Sequence, residues 1–221
     1  MSKYNIISES GLEFFGLISA SVSHDIKNIL AIINEKAGLI DDFILMSEKG
    51  SPLNPERIKI IIENITKQVQ RANGIVNNIN KFAHSVDNYV EIVELNEILN
   101  LVIKLSSRLI AMRNVNLEIR HTEEMVNIRT SPFFLKNLIW LCLDFALNAA
   151  GSSKTIGINA IRLEKTAKIQ FNQLDNLTSV SMTFPTEKET ALLNILHADL
   201  TTDQQAKELL ITLPGDINSL V

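Results

Sequence analysis

A histidine followed by a carboxylate is the pair of residues in this sequence with the clearest chemical potential. His24 and Asp25 begin the segment HDIKN, which continues through Ile26, Lys27 and Asn28. A neutral imidazole is a nucleophile near neutral pH, and a neighbouring carboxylate can hold the second ring N–H so that the attacking nitrogen stays unprotonated. The segment therefore indicates nucleophilic chemistry at His24, with Asp25 orienting the ring. A single histidine on a helix is more often an ordinary surface residue, so the neighbouring elements have to support this interpretation.

The apolar pattern around the segment predicts a long helix that leaves His24 exposed. Apolar residues follow alternating steps of three and four, as in a helix packed against a second helix. They are Phe15, Ile18, Val22, Ile26, Ile29, Ile33, Ala37, Ile40 and Ile44. At about 100° per residue, His24 lies about 160° from Ile26 and should face solvent. Its own face is small or polar, so another protein could approach it closely. That face carries Ala20, Ser21, Asn28 and Ala31.

A second long helix should follow a short break. The first helix is expected to begin with a cap at Ser8 or Ser10 and to end near Glu48. Segment 49–55, KGSPLNP, then combines a glycine suited to a helix end, an asparagine suited to an N-cap and a proline suited to the first helical position. The second helix should run from this proline to about Ser85.

The second helix carries an apolar seam of its own. It consists of Ile58, Ile61, Ile65, Val69, Ala72, Val76, Ile79 and Phe82. Two helices of similar length with a short connection should pair antiparallel. One such hairpin leaves apolar surface on both helices, and a second copy could cover it in a four-helix bundle. We therefore expect a homodimer.

Residues 88–221 change to short strands and helices, which predicts an α+β domain after a helical domain of residues 1–87. The expected strands cover residues 89–94, 115–120, 126–129, 156–161, 167–171, 179–184 and 208–213. The expected helices cover residues 95–112, 133–150, 187–196 and 203–207. The second of these helices is almost wholly apolar, follows Ser131-Pro132, and should be buried.

The composition excludes several classes of protein. With a formal net charge of −4, the chain lacks the excess of positive charge that typically binds the phosphates of nucleic acids. No apolar run reaches the length of a membrane span, and the first five residues do not open a signal peptide, so we expect a cytoplasmic protein. The single cysteine, Cys142, lies in the apolar helix and should be a core residue. His84, His121 and His197 belong to no metal-binding pattern.

The segment HDIKN resembles the H-box of sensor histidine kinases, in which a helical histidine accepts a phosphoryl group. Asp25 matches the acidic residue of that motif and Asn28 matches its polar position, whereas Ile29 stands where the family usually has proline. The element order also resembles the catalytic core of these kinases from end to end. The resemblance implies a dimerisation and phosphotransfer hairpin followed by a degenerate α/β sandwich of the GHKL ATPase type.

The resemblance also implies where a nucleotide would bind. Segment 144–149, DFALNA, is similar to the N-box, whose asparagine helps to hold the magnesium of MgATP; Asn148 takes that position, and Asp144 takes that of the first asparagine. Asn148 could equally be a polar residue that ends a buried helix. Asp175 matches the carboxylate that binds adenine, but Leu177 and Ser179 replace the two glycines that follow it. No glycine lies between Ser179 and Pro214, where the family has its glycine-rich lid. We therefore expect very weak ATP binding.

A complete phosphoacceptor hairpin beside a degenerate ATPase domain resembles histidine phosphotransferases. The resemblance implies that His24 passes a phosphoryl group to and from response-regulator aspartates, that the receiver domain supplies the magnesium, and that the chain holds no firmly bound cofactor. Two alternatives remain open on the sequence. One is a sensor histidine kinase, or a fragment of one, with an unusual nucleotide pocket. The other is a pseudokinase scaffold that binds a receiver without phosphate chemistry.

Overall fold

The computed structural model describes residues 3–120, 124–180 and 184–220. Two long helices, α1 (Lys3–Glu48) and α2 (Pro55–Ala83), precede a domain of short helices and strands. That domain contains β1 (Glu91–Glu94), α3 (Leu95–Leu105), α4 (Ser107–Met112), β2 (Asn116–Arg120), β3 (Asn127–Thr130), α5 (Pro132–Ala149), β4 (Thr155–Arg162), β5 (Thr166–Asn172), α6 (Leu177–Val180), α7 (Glu187–Leu196), β6 (Asp199–Asp203) and β7 (Glu208–Pro214). Short 3-10 turns cover His84–Val86 and Ile217–Leu220. The α+β fold class predicted from the sequence is confirmed.

The two long helices form an antiparallel hairpin, as predicted. Near the open end the rings of Phe14 and Phe82 meet edge to face, with centroids 5.1 Å apart. Near the connection the Arg57 guanidinium lies over the Phe43 ring at 5.9 Å. The connection has the predicted chemistry, since the Asn54 side chain accepts a 3.2 Å hydrogen bond from the backbone N–H of Arg57 at the start of α2.

Helix α1 begins earlier than the sequence predicted. It starts at Lys3, so neither Ser8 nor Ser10 is its N-cap. Ser10 is instead buried inside the helix, where its hydroxyl accepts a 3.1 Å hydrogen bond from Nδ2 of Asn137 on α5. The apolar seam is also displaced here, because Phe14 is buried and Phe15 is half exposed. Both differences have one cause: this end of α1 packs on α5 and α7 as well as on α2.

The larger sheet has five strands in the order β2-β4-β5-β7-β6. Strands β2 and β4 are parallel and the other neighbours are antiparallel. Alternate residues of β5 and β7 are buried, so one face of the sheet lies against the core helices. A separate two-stranded sheet pairs β1 with β3. This arrangement is a two-layer sandwich with α5 as its central, largely buried helix.

Three element predictions were wrong. The expected helix 95–112 is broken at Ser106 into α3 and α4. The expected strand 179–184 begins instead as α6, and residues 181–183 of that prediction lie outside the described residues. The expected helix 203–207 is a turn after β6, an edge strand that the sequence pattern missed because most of its side chains are exposed.

The hairpin base and the sandwich share one hydrophobic core. Phe14, Ile18 and Phe82 belong to the same cluster of buried residues as α3, α5 and the sheet. An ion pair between Glu13 on α1 and Lys188 on α7 lies beside this cluster. The division at residues 87 and 88 stays a prediction, because this core is continuous across it. No helix among the described residues is long and apolar enough to cross a membrane.

Candidate functional site

His24 lies on the outer surface of α1, as the helical pattern predicted. Its side chain retains 44% of its maximal exposure, and Nδ1 lies 3.2 Å from the side-chain nitrogen of Asn28, one turn further along the helix. Asn28 therefore contacts Nδ1, and no hydrogen bond to Nε2 is found among the described residues. Ala20 and Ala31 are exposed beside it, whereas Ser21, predicted for the same face, is buried.

Asp25 does not form the hydrogen bond that the sequence suggested. Its nearest carboxylate oxygen lies 3.7 Å from Nδ1 of His24, which suits an ion pair and is too long for a hydrogen bond. Asn28 makes the direct contact instead. In this orientation the amide nitrogen of Asn28 donates to Nδ1, and the ring proton is then on Nε2. With the Asn28 amide rotated by 180°, its oxygen would accept a hydrogen bond from Nδ1–H, and the lone pair of Nε2 would be free. Lys27 is exposed on α1.

The two N-box positions are held by an arginine that the sequence analysis missed. Arg113, at the end of α4, donates 2.7 Å from Nη2 to Oδ1 of Asp144 and 2.8 Å from Nη1 to Oδ1 of Asn148. It also contacts the backbone carbonyl of Asp144 at 3.2 Å. The side-chain oxygens that could face a magnesium ion thus already contact a fixed positive charge. Arg113 has no motif of its own, so only its position in the fold reveals this role.

Asp175 is likewise engaged by a cation. Nζ of Lys207 donates a 2.7 Å hydrogen bond to Oδ1 of Asp175. This bond and the positive charge of Lys207 lower the pKa of the Asp175 carboxyl, to which Ser153 adds a smaller contribution. A Cβ atom built on Gly151 would lie 2.3 Å from the Cβ of Asp175, so the carboxylate packs closely against the end of α5. One oxygen of Asp175 is therefore already occupied.

The described residues Leu177 and Phe184, in the stretch where the family has its nucleotide-binding loops, pack against the core. Leu177 is buried at the start of α6, where its side chain belongs to the core. The Phe184 ring stacks on Phe145 of α5, with centroids 3.9 Å apart and planes 14° from parallel. Phe145 lies between the two N-box residues in sequence, so this stacked pair covers the helix beside them. Bulky side chains thus occupy position 177, where the family has a glycine, and cover Phe145 of α5 beside the N-box residues.

The other described histidines and Cys142 lie on elements other than the helix that carries His24. Nδ1 of His84 lies 2.7 Å from Oδ2 of Asp87 at the exposed end of α2, and His197 ends α7 with a positive φ of 49°. His121 lies outside the described residues. Cys142 is buried in the core as predicted, and burial raises the pKa of its thiol. Among the described residues, no group of histidine, cysteine and carboxylate side chains is arranged to hold a metal ion.

A large polar cleft lies between the hairpin and the sandwich, and no sequence pattern predicts it. Its volume is about 1,020 Å³, and it extends from Val22 and Asp25 on α1 to Lys136 on α5. Lys136 retains only 3% of its maximal exposure. Burial lowers the pKa of its ammonium group to about 8, while the negative charge of Glu91 acts in the opposite direction. A nearly buried lysine among the residues that line a cleft is unusual, so its effect on stability is a useful test.

Replacing Lys136 with methionine is expected to stabilise the fold at neutral pH by about 2–3 kcal/mol, because a buried charge is removed and the aliphatic stem is kept. The pKa of Lys136 falls from 10.5 in the unfolded chain to about 8 in the fold. The unfolded state therefore binds more protons between these values, so wild-type stability should rise as pH increases through this window. Urea unfolding at pH 7 and pH 10 measures both effects. A destabilised Lys136→Met variant at pH 7 would contradict them.

Comparisons with known proteins find a likeness in structure alone. No protein-family model matches the sequence, and no curated protein matches it. Histidine kinase AdeS of Acinetobacter baumannii is similar over 87% of this chain and 98% of its own, with 11% identity and a TM-score of 0.46. The histidine kinase ThkA, solved in complex with the response regulator TrrA, is similar over 94% of this chain and 64% of its own, with 17% identity and a TM-score of 0.45.

A third similar structure is the ATP-binding domain of PrrB from Mycobacterium tuberculosis. It covers 58% of this chain and 98% of its own, with 12% identity and a TM-score of 0.43. These solved structures are all histidine kinases or parts of them. At these identities and scores the likeness concerns the fold and does not assign a function.

Proposed function

We propose that the protein is a histidine phosphotransferase of a two-component phosphorelay and that His24 carries the phosphoryl group. The observation that carries the proposal is the exposed imidazole in the H-box-like segment, which Asn28 contacts at Nδ1. A receiver domain needs free access to such a nitrogen, and the small side chains of Ala20 and Ala31 leave the surface around it low.

The transfer follows from this arrangement. Nε2 of neutral His24 attacks the phosphorus of a receiver's aspartyl phosphate, and the bond from phosphorus to the aspartate oxygen breaks. Asn28, with its amide oxygen towards Nδ1–H, holds the ring in the tautomer that this step needs. A second receiver aspartate then takes the phosphoryl group from Nε2. The partner receiver supplies the magnesium, and this chain contributes a positioned nucleophile.

We expect no saturable binding of MgATP up to millimolar concentration. Arg113 contacts both Asp144 and Asn148, and Lys207 contacts Asp175. A nucleotide would have to displace these cations, and the chain offers no glycine-rich loop to cradle its phosphates. Isothermal titration calorimetry measures this directly. Saturation below 1 mM would favour the kinase alternative instead. Titration of an Arg113→Ala variant would show whether the Arg113 guanidinium alone prevents MgATP from binding.

The proposal includes a homodimer formed through the helical hairpin. Several large apolar side chains on α1 and α2 are exposed in the single chain, which is typical of an unpartnered interface. They include Leu30, Ile44, Leu45, Ile60, Ile62, Val69 and Val76. A second hairpin could cover them in a four-helix bundle. Light scattering after gel filtration should give twice the chain mass of 24.7 kDa, and a monomer at micromolar concentration would contradict this part of the proposal.

Replacing Asn28 with alanine should slow phosphoryl transfer through His24 by about tenfold to a hundredfold, because the ring loses the group that fixes its orientation and tautomer. Single-turnover transfer from a phosphorylated receiver, followed by rapid quench, measures this rate. The control is Asn194→Ala, on α7, where an exposed asparagine bonds only to a backbone carbonyl one turn away. Equal rates for wild type and Asn28→Ala would remove Asn28 from the mechanism.

A labelling experiment tests the proposed function as a whole. The protein is incubated with receiver domains of its own cell, each phosphorylated with labelled acetyl phosphate and then freed of the reagent. Transfer of label to this chain from at least one receiver is the expected result. Absence of label with every receiver would contradict the proposal.

A further inference from the structure

An apolar groove lies at the base of the hairpin, where both long helices meet the sandwich. Its volume is about 460 Å³, and it is lined by the start of α1, the end of α2 with the turn that follows, and the first turn of α5. The described residues that line it are apolar apart from Ser8. A Cβ atom built on Gly11 would lie 3.3 Å from the Phe133 ring, so this ring packs closely on α1 and forms one wall of the groove.

Large apolar side chains around this groove are exposed in the single chain. Leu12 retains 74% of its maximal exposure, Val86 retains 62% and Phe15 retains 48%. Neighbouring exposed side chains of this size usually mark a surface that another molecule covers. Because the lining carries apolar side chains and one hydroxyl, an occupant with an apolar side chain fits it better than one with a charged group.

The groove continues the apolar face through which the hairpin is proposed to dimerise. Residues 18 apart on an α-helix face the same direction, because 18 residues make about five turns. Leu12 therefore faces the same way as Leu30, which lies on the exposed face of the hairpin. On α2, Val69, Val76 and Ala83 follow one another in steps of seven, or about two turns, and Ala83 lines the groove. The exposed apolar stripes of both helices thus end in the groove.

The symmetry of such a dimer places a second copy at the groove. In a four-helix bundle with its twofold axis along the bundle, each hairpin contacts residues at the same level of the other hairpin. Leu12 and Phe15 of each copy therefore lie level with the groove of the other copy. Burying these side chains there removes apolar surface of both copies from water, which favours association.

We propose that the groove of each chain receives Leu12 of the partner subunit, which packs between Ala83 and Val86 at the end of the hairpin and Phe134 on α5. The inference rests on the proposed function, from which it takes the hairpin dimer, and it extends the dimer contact from the hairpin to the sandwich. Each sandwich then contacts both hairpins of the dimer. This contact fixes the sandwich relative to the helices that carry His24.

The first test measures the dimer dissociation constant by sedimentation velocity over a dilution series of the wild type, Leu12→Gln and the control Leu163→Gln. Leu163 is an exposed leucine in the turn between β4 and β5, outside the groove. We expect Leu12→Gln to raise the dissociation constant at least about tenfold, because each dimer loses two buried leucines. Leu163→Gln should change it by less than about twofold. Far-UV circular dichroism should show both variants folded, since both side chains are exposed in the single chain.

A second test identifies what lies in the groove. Leu12 is replaced with the photocrosslinking residue benzoylphenylalanine, and chains labelled with heavy nitrogen are mixed with unlabelled chains before irradiation. Mass spectrometry of the digest then shows which peptides are joined. We expect crosslinks that join one labelled and one unlabelled chain, from position 12 of one copy to residues 83–86 or 133–134 of the other.

The outcomes separate this inference from the function on which it rests. An unchanged dissociation constant for Leu12→Gln, or crosslinks from position 12 that stay within one chain or end elsewhere on the other, overturns the groove contact and leaves the hairpin dimer and phosphoryl transfer standing. A wild-type chain that is monomeric at micromolar concentration overturns the groove contact together with the dimer. Labelling of His24 by a phosphorylated receiver is measured independently of both, so its failure would overturn phosphoryl transfer alone.

Discussion

Replacing His24 with glutamine is expected to abolish phosphoryl transfer, with a loss of at least about a thousandfold in labelling rate. Glutamine keeps a polar side chain of similar length on the exposed face of α1 but has no nucleophilic ring nitrogen. The imidazole is exposed, and its polar contacts among the described residues are with Asn28 and Asp25. The fold and the dimer should therefore be unaffected. Labelling from a phosphorylated receiver, gel filtration and thermal unfolding measure these three properties on one preparation.

The control for this variant is His197→Asn. His197 is exposed at the end of α7 with a positive φ, a conformation that asparagine tolerates. It should transfer phosphate at the wild-type rate. If His24→Gln still accepts label from a receiver, another residue is the acceptor. If His24→Gln forms a stable complex with the receiver and preserves its biological output, the scaffold alternative gains the stronger support.

Replacing Phe82 with alanine should cost about 3–5 kcal/mol of unfolding free energy, the largest loss of stability expected from any single change at the hairpin base. Phe82 is 1% exposed and packs among Phe14, Phe15 and Phe133, with ring centroids 5.1–6.1 Å apart. These rings belong to α1 and α5, so the cavity would open where the hairpin joins the sandwich. Urea unfolding at one fixed protein concentration measures the loss, since a dimer makes stability depend on concentration.

Met112→Ala is the control for the core substitution. Met112 is a large side chain at the end of α4 and is mostly exposed, so its truncation should change stability by less than about 0.5 kcal/mol. A loss below 1 kcal/mol for Phe82→Ala would show that the hairpin base and the sandwich do not share a core. In that case the sandwich should unfold independently of the hairpin.

The helical hairpin could be predicted closely because its signals are local. Asn54 and Pro55 mark a helix start through their own side chains, and the exposure of His24 follows from helical geometry alone. The start of α1 could not be predicted in this way. Ser10 resembles a cap in sequence, but its hydroxyl serves a long-range contact with Asn137, 127 residues away. The sequence around Ser10 favours a helix start, but the contact with Asn137 is made by a serine inside α1.

The same distinction holds for the candidate site. Asp144, Asn148 and Asp175 could be named from spacing, but their cationic partners could not, because Arg113 and Lys207 come from other elements. Strand β6 was missed since an exposed edge strand lacks the alternation that marks a half-buried one. The position of Lys136 beside a cleft could not be predicted for a related reason. A lysine in an apolar helix looks like a break in the buried face, and only the fold shows that it lines a cleft.

A histidine phosphotransferase differs from a kinase in the source of its phosphoryl group, and from a scaffold in having a histidine that receives it. The most direct measurement is intact-protein and peptide mass spectrometry after two parallel incubations, one with MgATP and one with phosphorylated receivers, under alkaline conditions that preserve phosphohistidine. Phosphorylated receivers should place a single phosphoryl group on the peptide that contains His24, and MgATP should place none. A phosphoryl group acquired from MgATP alone, or carried on a residue other than His24, would contradict the proposed function.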